Sequence, residues 1–142
     1  MARRHVKPVY IAGPLFTPAE RRYLEELAAV IDGAGFETYL PHRDGGLVSP
    51  DRRNTRAMYE SDLRALNACG MIVAVLNGTD VDSGTAFEIG YAVARGLPVL
   101  GLYEDIRVSA PHDFNAMIAN GCRVFGRRED LLEALNEPHQ LE

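Results

Sequence analysis

One run of residues, Met71-Ile72-Val73-Ala74-Val75-Leu76, is apolar without a polar interruption, and it narrows the fold more than any other feature. A strand buried on one face alternates in polarity. A strand buried on both faces reads as this one does, and that arrangement belongs to parallel sheets wrapped by helices. The flanking chain agrees. Val9 to Ala12 is a short β-branched run closed by Gly13-Pro14, and Glu37 to Leu40 is a second strand stopped by Pro41. Pro98 to Tyr103 reads as a fourth strand and Arg123 to Phe125 as a short fifth.

Helical signals fill the intervals. Thr17-Pro18-Ala19-Glu20 forms a capping box with proline at the first helical position. Leu24, Leu27, Ala28 and Ile31 then carry the helical period, and Gly33 and Gly35 end it. Ser49-Pro50 caps a second helix running to about Ala68, with Met58, Leu63 and Leu66 toward the core. Thr85 to Arg95 is a third helix, ended by Gly96, and a last one lies near Asp130 to Leu135. The segment HRDGGLVSPDRRN reads as a long loop and the stretch containing FNAMIAN as irregular. Strand-helix alternation implies one α/β domain over residues 1–142. The expected architecture is a doubly wound, flavodoxin-like five-stranded parallel sheet of order 2-1-3-4-5 with helices on both faces. Such sheets bind ligands beyond the carboxyl ends of the strands, where the strand order switches. That rule selects the loops after strands one, two and three: Gly13 to Phe16, His42 to Gly46 and Asn77 to Gly84.

Charge and motif content restrict the ligand. Fifteen Lys and Arg against 20 Asp and Glu give a net charge of −5, the wrong sign for a duplex-binding surface. There is no G-x-G-x-x-G and no G-K-[ST], which disfavours dinucleotide and triphosphate cradles. Cys69 and Cys122 lie far apart without ligand spacing, so no metal is expected and reduced thiols are. The basic N-terminus lacks the apolar run of a secretory signal, and no stretch approaches a membrane span. A soluble, cytoplasmic protein is expected.

The loop after strand three enters its helix as Asp82-Ser83-Gly84-Thr85-Ala86-Phe87-Glu88. Asp82 or Ser83 suits the cap, and Gly84 admits close approach to the first turn. Glu88 reads either as an acid serving the helix dipole, worth ~0.3–1 kcal/mol, or as a desolvated carboxylate at the ligand end of the sheet. The second reading draws on its neighbours: Glu88, Ala92 and Arg95 share one side of the helix, Phe87, Tyr91 and Ala94 another, and both sides look packed. Desolvated carboxylates serve as nucleophiles or proton carriers. Asp62 is a poor helix-interior residue set beside an apolar stripe. It either pairs with Arg56 or Arg64 on a solvated face or points into the same pocket as Glu88. Tyr10 faces the opposite side of its strand from Val9 and Ile11; it is a core aromatic or a hydroxyl that orients a carboxylate.

VYIAGPLFT, YLPHRDGG, ESDLRALNACGMIVAVL, DVDSGTAFEIGYAVARGLPV and FNAMIANG, in this order from about Val9 to Gly121, together resemble the nucleoside 2-deoxyribosyltransferase family. The most specific element is D-x-x-x-G-T/L-x-x-E-x-G-x-A before G-x-P-V. The resemblance implies a cofactor-free pentosyltransferase of nucleotide salvage that exchanges the base of a 2′-deoxynucleoside for a free purine or pyrimidine. The exchange would pass through a covalent deoxyribosyl-glutamate, with slow hydrolysis on the side. It assigns Glu88 as nucleophile, Tyr10 as its orienting tyrosine, and Asp62 and Asp82 as the aspartates that position the nucleoside and handle the proton. Substrate contacts would come from Gly13 and Phe16 in the first loop, His42, Arg43 and Asp44 on the base side, Gly84, and Asn115 with Met117. Asn115 would reach the 5′-hydroxyl in a neighbouring subunit of a homo-oligomer, dimer-based or hexameric.

Two rivals share the fold. One is a 2′-deoxynucleoside 5′-monophosphate N-glycosidase. The first loop, PLFTP, opposes it, having no basic residue before Arg21 to meet a phosphate. The other is a non-catalytic nucleoside- or nucleotide-binding module.

Overall fold

The computed structural model describes residues 7–45, 55–107 and 114–137. Among these, β1 (Val9–Ala12), β2 (Thr38–Tyr39), β3 (Met71–Val75), β4 (Val99–Leu102) and β5 (Arg123–Phe125) form one sheet in the order β2-β1-β3-β4-β5. Every pairing is parallel, with Tyr10 opposite Tyr39 on one side and Ile72 on the other. The expected doubly wound, flavodoxin-like sheet is therefore present; β1 and β5 have the expected bounds, and β2, β3 and β4 stop one residue short at one or both ends.

Alternation along the strands sorts the core into two layers. Val9, Ile11, Val73, Val75, Leu100 and Leu102 face α1 (Pro18–Gly33) and α6 (Arg128–Leu135). Tyr10, Ala12, Ile72, Ala74 and Val99 face α3 (Thr55–Ala68), α4 (Ser83–Ala94) and α5 (Ala116–Gly121). The capping box of α1 is complete: Glu20 N donates to Thr17 Oγ1 at 3.1 Å, and Thr17 N donates to Glu20 Oε1 at 2.8 Å. At its other end Gly35, not Gly33, takes the left-handed conformation, at φ +98°. Cys69 and Cys122 are both free and buried.

The structure corrects the sequence reading at several points. The segment read as a loop after β2 opens with a short helix, α2 (Pro41–Asp44), whose start suits the fixed φ of Pro41. The FNAMIAN stretch, read as irregular, contains α5, capped by the Asn115 side chain accepting from Met117 N at 2.9 Å. Its shortness hid its periodicity. Ser49-Pro50 lies outside the described residues; α3 is described from Thr55, with Leu66 buried and Met58 and Leu63 half-buried. In α4, Asp82 is the cap, and the expectation that both sides of the helix are packed fails. Ala92 is buried, but Phe87, Ala94 and Arg95 are exposed, because only one stripe of a helix can meet the sheet.

Candidate active site

Strand order reverses between β1 and β3, and the side chains of interest meet there on the α3–α4 side of the sheet. Glu88 is the sixth residue of α4, past the first turn, where the helix dipole has largely faded. Its Oε2 is buried and has no hydrogen-bond partner among the described residues. Burial pushes the carboxyl up to about 8; the Tyr10 hydroxyl pulls it down, and the charges of Asp62 and Asp82 push it further up. Tyr10 is fully buried, its ring stacked on Tyr39 at 5.5 Å and 20°. The hydroxyl bears on Glu88 but falls short of a formed hydrogen bond, so Tyr10 Oη is also a buried orphan. Burial, then the charges of Glu88 and Asp62, hold that phenol far above its ordinary range. Two orphaned polar atoms facing each other in a core are costly unless a third group completes them.

Asp62 reaches the same place from α3. Burial raises it to about 6. Its alternative partner Arg56 is instead paired with Glu60 at 3.0 Å, and no pairing with Arg64 is recorded among the described residues. Asp82 accepts from Thr85 N at 3.1 Å and Thr85 Oγ1 at 3.3 Å, which turns its carboxylate inward at the mouth of the loop. Gly84 lies against it: a Cβ there would stand 3.2 Å from Asp82 Oδ2. The structure thus gathers Tyr10, Asp62 and Asp82 around Glu88.

The other candidates are distributed. Gly13 has a packing reason, since a Cβ would come within 2.8 Å of Leu24 Cδ2. Phe16, 67% exposed, and Met117, 79% exposed, are surface side chains. Asn115 is exposed. The base-side trio splits. Arg43 Nη2 donates to Thr38 O at 2.7 Å, and Asp44 Oδ2 accepts from Leu40 N at 2.9 Å. Both line a hollow at the β2 edge with Asp32 and Glu37, which Asp62 does not line. His42 turns the other way, into a small recess it shares with Asp62, Ser61 and Met58. The more spacious hollows, about 320 Å³ beside Tyr23 and Arg107 and about 590 Å³ at the β2 edge, contain neither Glu88 nor Asp62. Chemistry, not volume, locates the site.

Sequence reasoning passed over Tyr39, Ser61 and Glu25. Tyr39 and Ser61 are contiguous with the site only through the sheet pairing and α3 packing. Glu25 reaches His42 across seventeen positions, a separation no local pattern signals.

The family model for nucleoside 2-deoxyribosyltransferase matches residues 9–130. The chain belongs to that family. Among its relatives, a putative 2′-deoxynucleoside 5′-phosphate N-hydrolase 1 from Syntrophotalea carbinolica is 29% identical over 122 residues, covering 81% of this chain and 78% of that one. A conserved protein from Enterococcus faecalis V583 superposes with a TM-score of 0.77 at 29% identity, over 90% of this chain and 96% of that one. A 2-desoxiribosyltransferase from Leishmania mexicana gives a TM-score of 0.68 at 26% identity, over 91% of this chain and 96% of that chain. Family membership spans β1 to α6 and so includes all four residues gathered at the switch point.

Proposed function

We infer that this chain exchanges the base of a 2′-deoxynucleoside through a covalent deoxyribosyl ester on Glu88. The observation that carries the reading is the buried, unpartnered Glu88 Oε2 beside Tyr10 and two aspartates. In the first half-reaction the C1′–N bond breaks and its electron pair leaves with the base, which takes a proton from Asp62. A Glu88 oxygen bonds to C1′ as positive charge develops on the sugar, the logic of a retaining glycosidase. In the second half, a ring nitrogen of an incoming base attacks C1′, Glu88 departs as carboxylate, and the acceptor proton returns to Asp62. Water in place of the base gives slow hydrolysis. A 2′-hydroxyl would draw electrons from the cationic sugar, which favours the 2′-deoxy substrate.

Both acids are raised, Glu88 more than Asp62, so the proton rests mainly on Glu88 and has to pass to Asp62 before transfer. With Glu88 near 8 and Asp62 near 6, the pair holds one proton between those limits. The productive arrangement has that proton on Asp62 and leaves Glu88 ionised. Tyr10 steadies the carboxylate, and Asp82 closes the sugar side. The exposure of Asn115, Phe87 and Met117 is compatible with assembly of like subunits, with Asn115 lent to a neighbour's 5′-hydroxyl.

Similarity to the putative 5′-phosphate N-hydrolase supports a second reading, hydrolysis of deoxynucleoside 5′-monophosphates. Against it, Arg21, the first cation after β1, is spent on Leu15 O at 3.0 Å. Intact mass after mixing with deoxyadenosine tests the first reading. Wild type should gain one deoxyribosyl unit and Glu88→Ala none, with exchange falling at least a thousandfold, roughly the scale lost with a catalytic nucleophile. Faster turnover of the 5′-monophosphate than of the nucleoside, unaffected by added cytosine, selects the second reading.

A further inference from the structure

The loop that delivers Asp82 to the site is held from behind by side chains that the exchange chemistry does not use. Leu76 N donates to Leu102 O at 2.9 Å, a backbone rung just past the end of β3. Beyond that rung two side chains continue the pairing, each reaching the other chain's backbone. Asn77 Oδ1 accepts from Glu104 N at 2.9 Å, and Asp105 Oδ2 accepts from Gly78 N at 3.0 Å. Both partners are themselves braced. The Asp105 side chain, only 12% exposed, also accepts from Arg107 N at 3.0 Å and Arg107 Nε at 2.9 Å. Glu104 accepts from Tyr23 Oη on α1 and, at 2.8 Å, from Arg128 Nε on α6. The stitch therefore ties the loop after β3 to the layer opposite the site.

Gly78 is where that loop turns. Its φ is +123°, and a Cβ there would lie 3.1 Å from Asp80 O. Thr79 and Asp80 are exposed, Val81 packs against the site-side core, and Asp82 follows as the cap of α4. A fixed Gly78 thus sets where the short step to Asp82 begins. We propose that Asp105 and Asn77 are positioning residues for base exchange, acting on the sugar through the placement of Asp82. A shift of ~1 Å in a group that meets the reacting centre costs on the order of a hundredfold. In Asp105→Ala, water from the adjoining hollow would satisfy the Gly78 N–H without holding it in place. The proposal rests on the part given to Asp82 in the exchange reading, but one arm of its test does not depend on turnover.

That test measures kcat/KM for deoxyadenosine in wild type, Asp105→Ala, Asp105→Asn, Asp82→Asn and the Asp82→Asn/Asp105→Ala double variant. Amide hydrogen exchange is followed in parallel on the segments 78–86 and 71–76. Asp105→Ala should lose about ten- to a hundredfold in kcat/KM. Asp105→Asn, which keeps an oxygen toward Gly78, should recover to within about threefold of wild type. In the Asp82→Asn background, Asp105→Ala should cost less than about twofold, because what it positions is already gone; a general structural defect costs the same in both backgrounds. Segment 78–86, which includes the Thr85 amide that Asp82 accepts from, should exchange about tenfold faster in Asp105→Ala, with 71–76 unchanged. Equal losses in both backgrounds, a loss below about twofold in wild type, or unchanged protection of 78–86 overturns the proposal. Should Asp105→Ala fail to fold, Asn77→Ala removes the reciprocal bond and carries the same expectations. Faster exchange of 78–86 in a chain that turns over no nucleoside upholds the stitch and overturns the exchange reading instead.

Discussion

Glu88 binds its proton more tightly in the folded chain than in the unfolded one. The folded carboxyl holds its proton up to about pH 8, whereas an unfolded glutamate gives it up near its ordinary 4.5. Between those limits the native state binds more protons, so stability falls as pH rises through the window. Glu88→Gln removes the penalty. Urea unfolding at pH 5, 7 and 9 should show the variant gaining on wild type step by step, by on the order of 2–4 kcal/mol at pH 9, while activity is lost. A constant difference across pH would mean the carboxyl is not desolvated. Asp62 supplies the companion prediction. If one proton shared by the pair defines the active form, kcat/KM for deoxyadenosine should plateau between about pH 6 and about pH 8 and decline on both sides. Asp62→Asn should be slower throughout and rise with pH to a plateau near 8 without an alkaline limb. An alkaline limb that persists in this variant would assign the acid elsewhere.

At the scale of elements, what was readable in the chain followed physical range. MIVAVL, the Thr17–Glu20 capping box and the glycines after α1 and α4 act within a turn or a strand, so β1, α1, β3 and α4 could be placed from sequence. The strand order followed from the rules of parallel α/β folds. Helices of fewer than two turns could not be placed, because a 3.6-residue pattern has no room to repeat in them: α2 is four residues and α5 six. The site divided in the same way. Glu88 and Asp62 stood out as acids set beside apolar neighbours, whereas Asp82 read locally as a helix cap and was tied to the site only by the resemblance. Arg43 and Asp44 were expected on the base side because they lie in the loop after β2, which the strand-end rule and the resemblance both select. In the structure they tie α2 to β2, Asp44 held below its usual range, despite burial, by Arg43 and the Leu40 N–H. The Glu25–His42 pair was illegible, since only the packing of α1 near α2 creates it.

For the molecule as a whole, the unfinished surface lies on the α3–α4–α5 side. Tyr59 and Phe87 meet edge to face at 6.1 Å, and both rings are more than half exposed, at 53% and 54%. Val93 on α4 and Met117 on α5 are exposed as well. Apolar side chains gathered in this way mark association surfaces. Phe87→Asp should lower the mass seen by sedimentation velocity and reduce base exchange in parallel. Full activity in a monomeric variant would separate assembly from catalysis. Among the described residues no helix is long and apolar enough to cross a membrane. The two core layers also divide the labour of the domain. Tyr10, Asp62, Asp82 and Glu88 all lie on one side of the sheet, and the aliphatic packing of α1 and α6 fills the other. The sheet is in effect a firewall for protein engineering. Apart from Tyr23 and Arg128, which brace Glu104, the α1–α6 half is open to thermal hardening, and substrate range can be redrawn on the opposite half with little cross-talk.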